Sequence, residues 1–207
     1  MEIKSNELSL TLSDRMPVYQ LVSLVFPNTH LTSQVDITII INGKKRHLFQ
    51  PPYRIAKIEN DIEINARFGD LIIHRITYQT SMKGIQVILQ IGLCPESAMA
   101  VLKAGIHNNS ADDIALQRIT LINIKTGDLL LDDTPSPNPA FYSNGWQSWS
   151  ATGTYGLGEK QHTSFLDYFQ NPMVVNPGTP KPHRKNHFTG DMFGILGDRS
   201  TRIALLA

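Results

Sequence analysis

Cysteine is almost missing from this chain. Cys94 is the only one, so no disulfide can close within it. That excludes the small disulfide-stapled secreted scaffolds and suits a reducing, cytoplasmic compartment. Excess charge of either sign is missing too, with 19 Lys and Arg against 18 Asp and Glu. The densest basic cluster, Lys44-Lys45-Arg46-His47, sits beside a turn signal, which argues against a nucleic-acid partner. No apolar run approaches the ~20 residues of a membrane-spanning helix, so no membrane partner is expected. The start, Met1-Glu2-Ile3-Lys4-Ser5-Asn6, has neither the basic opening nor the apolar core of a secretory signal. A sustained 3.6-residue period is also absent, and no internal repeat is visible.

Period-two alternation takes its place. Leu8, Leu10 and Leu12 share one parity, and Val35, Ile37, Ile39 and Ile41 share another. Ile62, Ile64, Ala66 and Phe68 follow, then Ile85, Val87, Leu89, Ile91 and Leu93. In a strand each set points to one face, which can be buried while the other stays wet. Turn signals separate the runs at Asn42-Gly43, Gly69-Asp70, Lys83-Gly84 and Lys125-Thr126-Gly127-Asp128. Strands recurring at this spacing predict an all-β chain built as an antiparallel sandwich or barrel. Only two short helical turns are predicted, over Ser97–Lys103 and Ser164–Phe169.

Composition shifts at Asp132-Asp133-Thr134-Pro135-Ser136-Pro137-Asn138-Pro139, which proline keeps out of a central strand. The stretch reads as a long surface connection within one domain spanning residues 1–207. A second irregular zone runs from Asn171 to His187, and long loops of this kind are usually functional or disordered. Met192–Leu196, then Gly197-Asp198-Arg199-Ser200, then Thr201–Ala207 reads as strand, turn, strand. The last residues, Ile203-Ala204-Leu205-Leu206-Ala207, stop inside an apolar run, so the chain is expected to be the front part of a longer polypeptide.

Several familiar motifs fail. Gly153-x-x-x-x-Gly158 opens like a phosphate loop, but Glu159 stands where that loop needs lysine. His183 and His187 have a zinc-like spacing, yet Pro182 argues against the helix it requires and no third ligand follows. No strand–Gly-x-Ser-x-Gly–helix elbow is present for a serine nucleophile. A glycosidase needs two carboxyl groups about 5–10 Å apart, and no motif here places such a pair. No metal, cofactor or catalytic residue is therefore expected in this chain.

One segment remains. Phe141–Gly156 holds both tryptophans, Trp146 and Trp149, among Gly, Ser, Thr, Asn and Gln. If extended, the two indoles face opposite sides; if Asn144-Gly145 turns tightly, a hairpin tip presents an indole. A flat ring stacks on the C–H face of a pyranose while Asn and Gln bond its hydroxyls, the mixture a sugar site needs. Equally, both rings could cover a sheet end, each nitrogen finding a carbonyl. From the residues alone both readings stand.

Asn144-Gly145-Trp146-Gln147-Ser148-Trp149-Ser150 resembles a motif in the N-terminal domains of bacterial α-galactosidases of glycoside hydrolase family 36, the melibiase clan. The β-rich region before it, and His187-Phe188-Thr189-Gly190-Asp191-Met192-Phe193 after it, are similar as well. The resemblance implies an antiparallel β-supersandwich of the galactose mutarotase type. In that family the sandwich precedes a (β/α)8 barrel carrying the catalytic aspartates. A barrel needs about 250 residues, and this chain has no Lys-Trp-Asp setting, so none of its own residues is assigned a catalytic role.

By the same resemblance the partners are a galactoside or oligosaccharide, the catalytic barrel of the same polypeptide, and a second copy in a homo-oligomer. The substrate-facing residues would be Asn144, Trp146, Gln147 and Trp149, with His187 and Asp191 beside them. The whole enzyme would act on melibiose- or raffinose-type sugars with retention, the isolated chain being inactive. Two other readings remain: a stand-alone carbohydrate-binding module, and an aldose-epimerase-like β-sandwich enzyme, which would need paired histidines and a carboxylate in one cleft.

Overall fold

The computed structural model describes residues 1–13, 15–26, 28–65, 67, 69–124, 127–131, 138–144, 152–161, 185–188, 190, 193–200 and 204–206. The chain divides into two compact units, Met1–Leu129 and Leu130–Ala207. The division falls just before the proline-rich stretch that starts at Asp132.

The first unit runs β1 (Glu2–Lys4), β2 (Leu8–Leu12), β3 (Val18–Ser23), β4 (His30–Gln34), β5 (Asp36–Ile41) and β6 (Lys44–His47). It continues β7 (Arg54–Asn65), β8 (Gly69–Gln79), β9 (Ile85–Leu93), β10 (Ala100–Asn108), β11 (Ile114–Thr120) and, at the division, β12 (Leu129–Leu130). Three sheets result, ordered β1-β2-β3-β4-β12, β10-β9-β8-β7 and β11-β5-β6. The second unit holds β13 (Pro139–Ser143), β14 (Gly153–Gly156), β15 (Gly194–Asp198) and β16 (Ala204–Leu206) in one sheet ordered β14-β13-β15-β16. Every pairing whose register is described is antiparallel. Among the described residues all regular elements are strands, and no helix is long and apolar enough to cross a membrane.

Alternation becomes burial as the physics requires. Ile85, Val87, Leu89, Ile91 and Leu93 have no solvent exposure, nor do Val35, Ile37 and Ile39. Fully burying such a side chain contributes roughly 1.5–3 kcal/mol. Asn42 and Gly43 turn β5 into β6 with φ of 49° and 71°, the left-handed pair that a two-residue hairpin uses. Buried polar groups are mostly partnered. The Tyr19 hydroxyl donates to the Leu121 carbonyl at 3.0 Å, and burial pushes its pKa up to about 12. Ser33 Oγ accepts from the Asn123 N–H at 2.8 Å, which ties β4 to the chain beyond β11.

Two local expectations need correction. Ser97–Lys103 is no helical turn: a bend at Ser97 leads into β10, which pairs with β9 from Ala100 to Asn108. Ala, Met, Leu and Lys favour a helix by intrinsic propensity, but the chance to pair along nine residues of a buried strand overrides it. Ile62 belongs to no buried face, being 64% exposed. Its strand, β7, stands at a sheet edge, and edge position cannot be read from parity. Ala66, Phe68 and the turn predicted over Ser164–Phe169 lie outside the described residues.

Tyr78 breaks the pattern of satisfied polar groups. It has no solvent exposure, and its hydroxyl has no hydrogen-bond partner among the described residues. Its ring is held edge-on by Phe49 at 5.1 Å and Tyr53 at 6.3 Å, and burial raises its pKa. An orphan hydroxyl costs about 1–3 kcal/mol. Tyr78→Phe is therefore expected to raise stability by about 1 kcal/mol, measured as a higher denaturant midpoint; a lower midpoint would contradict the orphan assignment.

His74 is 2% exposed and its Nδ1–H donates to Asn60 Oδ1. Burial holds its pKa below the ordinary 6.5, so the folded chain prefers the neutral ring. The stabilisation from the neutral ring is complete above the unfolded value and disappears as pH falls through the lowered folded one. Urea midpoints are expected to drop between pH 7.5 and pH 5, and His74→Leu should flatten that drop. An unchanged pH dependence in the variant would remove His74 as its source.

Candidate functional site

The tryptophan motif follows β13 directly. β13 pairs with β14 on one side, Ser143 opposite Gly153, and with β15 on the other, Ser143 opposite Gly194. Asn144, the first residue of the motif, is half-buried at the end of β13. Trp146, Gln147 and Trp149 belong to the connection between β13 and β14 and lie outside the described residues, as does Asp191. His187 is described and exposed.

The base of the connection is held by a polar pair. Ser143 is 1% exposed, Gln161 is 5% exposed, and Gln161 Nε2 donates to Ser143 Oγ at 2.9 Å. The bond ties the end of β13 to the chain beyond β14, and its two groups are both buried. Nothing in local periodicity marks Gln161 for this role; a lone glutamine after a turn reads as a surface residue.

Aromatic rings enclose β13 on both faces. Phe141 and Tyr155 are cross-strand partners, and Phe188 stacks on both, with centroids 5.8 Å and 5.4 Å away. On the opposite face of β13, Tyr142 stacks with Phe193 at 6.0 Å. Phe188 and Phe193 are thus near neighbours in sequence on opposite faces of one strand. Between them Gly190 passes the end of that strand: a Cβ there would lie 2.8 Å from the Phe193 carbonyl and 3.4 Å from both the N and O of Asn144. Only glycine permits that approach without a shift. Gly190 therefore lies against the end of β13 at Asn144.

Two separated stretches of the sequence, Phe141–Gly156 and His187–Phe193, meet at this point. Asn186 reinforces the junction: its Oδ1 accepts from the Gly158 N–H at 2.6 Å, and its N–H donates to the Glu159 carbonyl at 3.0 Å. Glu159, the residue that breaks the phosphate-loop pattern, turns its carboxylate to the Gly156 N–H at 2.7 Å. The anion-accepting position of that turn is thus filled by the chain itself. No group of three His, Cys, Asp or Glu placed to hold a metal ion occurs among the described residues. Chemically, the described part of the site offers stacked aromatic surfaces, a half-buried amide at Asn144 and an exposed imidazole at His187.

Comparison of the chain with protein-family models, with curated proteins and with solved structures finds no match.

Gln161→Leu removes the bond to Ser143 Oγ, and should lower stability by about 1 kcal/mol. The double variant Gln161→Leu, Ser143→Ala should recover part of that loss. Denaturant midpoints of the two single variants and the double variant test this, and strictly additive losses would contradict a direct bond.

Proposed function

We infer that the chain is the β-sandwich domain of a retaining α-galactosidase, of the galactose mutarotase type, which leans on a catalytic (β/α)8 barrel of the same polypeptide. The domain packs against the barrel, shapes the rim of the substrate pocket and supports contacts between copies in an oligomer. Trp146 and Trp149 offer their faces to the sugar, Asn144 and Gln147 bond its hydroxyls, and His187 and Asp191 flank it. The substrate class is a terminal α-galactoside of the melibiose or raffinose type.

One observation carries the reading: Gly190 running against Asn144, which joins the two stretches of sequence that resemble the family. The antiparallel pairing of β13 with β15, Ser143 opposite Gly194, brings the flanks of both stretches together. The all-β antiparallel architecture and the aromatic faces around β13 also favour it. Flat rings with adjacent amides recognise a pyranose better than an anion or a metal.

The chain alone is expected to hydrolyse no aryl α-galactoside. Joined to its barrel, Trp149→Ala should raise KM for melibiose about three- to tenfold, the loss of one ring contact of ~0.5–1.5 kcal/mol. Enzyme-like turnover by residues 1–207 would overturn the assignment. Saturable galactoside binding by the chain alone, with tryptophan quenching lost in Trp146→Ala or Trp149→Ala, would make it a carbohydrate-binding module. Accelerated mutarotation in a polarimeter would make it an epimerase.

A further inference from the structure

Strand β7, twelve residues long, stands at the edge of its sheet. β8 occupies one side of it. Along the other side no strand pairs with it among the described residues. The Ile62 N–H is taken by Asp61 Oδ1 at 2.8 Å and not by β8. In an antiparallel ladder successive residues turn their N–H and C=O alternately toward and away from the partner. Ile58, Asn60 and Ile62 therefore direct their backbone groups to the open side.

Their side chains share one face, where Ile58 is 43% and Ile62 64% exposed. The other face carries Lys57, Glu59, Asp61 and Glu63. Lys57 Nζ holds Glu59 at 2.7 Å and Lys103 Nζ holds Glu63 at 2.6 Å. Asp61 has no ion pair among the described residues, and its carboxylate caps its own strand's edge.

We propose that this edge receives an extended segment of another protein, in which apolar residues that cover Ile58 and Ile62 alternate with basic residues that face Glu59 and Asp61. Natural edges are blunted by charge, proline or bulges; β7 has charge on one face and a bulge near Ile55, while the register from Ile58 to Ile62 stays regular. Lys57 and Lys103 already answer Glu59 and Glu63, so the charge demand of this face centres on Asp61, and with Ile58 and Ile62 on the other face it asks for a strand of matching alternation. A second copy of the same edge does not meet that demand. Antiparallel pairing that sets Ile58 against Ile62 also sets Glu59 against Asp61, twice, and like charges directly opposite are destabilising.

The test uses the full chain and two blocked peptides, Val-Lys-Val-Lys-Val-Lys-Val and its counterpart with Glu for Lys. By calorimetry the Lys peptide should bind saturably, and in hydrogen exchange it should slow the amides of Ile58, Asn60 and Ile62. The Glu peptide should bind more weakly, by about fivefold for each charge pair changed. Asp61→Lys should narrow or reverse that order, and Asp61→Asn should reduce it, both with an unchanged melting profile. No binding of either peptide, equal binding of both, or indifference to both variants would overturn the proposal. So would sedimentation of the chain as a dimer that protects the same three amides, because a second copy would then own the edge.

Discussion

Strand β9 is paired along its length on both sides, with β8 and with β10, and its five odd-numbered side chains have no contact with water. In a strand of that kind register is not negotiable. A slip of one residue would set Gln86 and Gln90 in the apolar row and turn Val87 and Leu89 to the other face. The buried row holds the four-stranded sheet to one alignment, and every edge and face feature of that sheet inherits it. Asn60 lies opposite His74 and Glu59 opposite Arg75 because β8 is aligned by β9 before β7 is aligned by β8.

The second unit keeps its alignment by a different means. Its sheet is smaller, and its strands bury few aliphatic side chains. Stacked rings on both faces of β13, and one buried serine–glutamine bond at its end, replace the aliphatic row. Rings resist sliding because an offset stack loses contact quickly when one partner moves. A polar bond in a dry place resists it because a buried hydrogen bond tolerates little displacement. This arrangement delivers Asn144 to a defined position at the start of the tryptophan motif, which a loosely held hairpin would not.

Much of the first unit was legible in sequence because period two is a local signal. Val35 to Ile41 and Ile85 to Leu93 could be assigned to buried faces by counting, and Asn42-Gly43 could be assigned to a hairpin by its need for positive φ. What escaped was set by partners distant along the chain. Ile62 has the same parity signal as Ile91, yet one is at an edge and the other in the middle of a sheet. Ser97–Lys103 has helical residues, but the waiting edge of β9 decided its form. At the candidate site, the residue types of Asn144 and His187 could be read from the sequence. The approach of Gly190 to Asn144 could not, since nothing near either residue announces the other. Gln161 went unnoticed for the same reason.

The pairing of β5 with β11 has a consequence in time. Ile41 meets Ile114 and Asp36 meets Thr120, while β6, β7, β8, β9 and β10 all intervene along the chain. The four-stranded sheet is a run of consecutive hairpins, and each can close as soon as its two strands exist. The three-stranded sheet must wait for β11, because closing so large a loop is slow and contacts distant along the chain limit the folding rate. During synthesis β5 therefore leaves the ribosome paired only with β6, its isoleucine-rich flank bare until the polypeptide has grown past residue 120. A nascent chain paused before that point would show a sticky half-sheet, the state a chaperone would find.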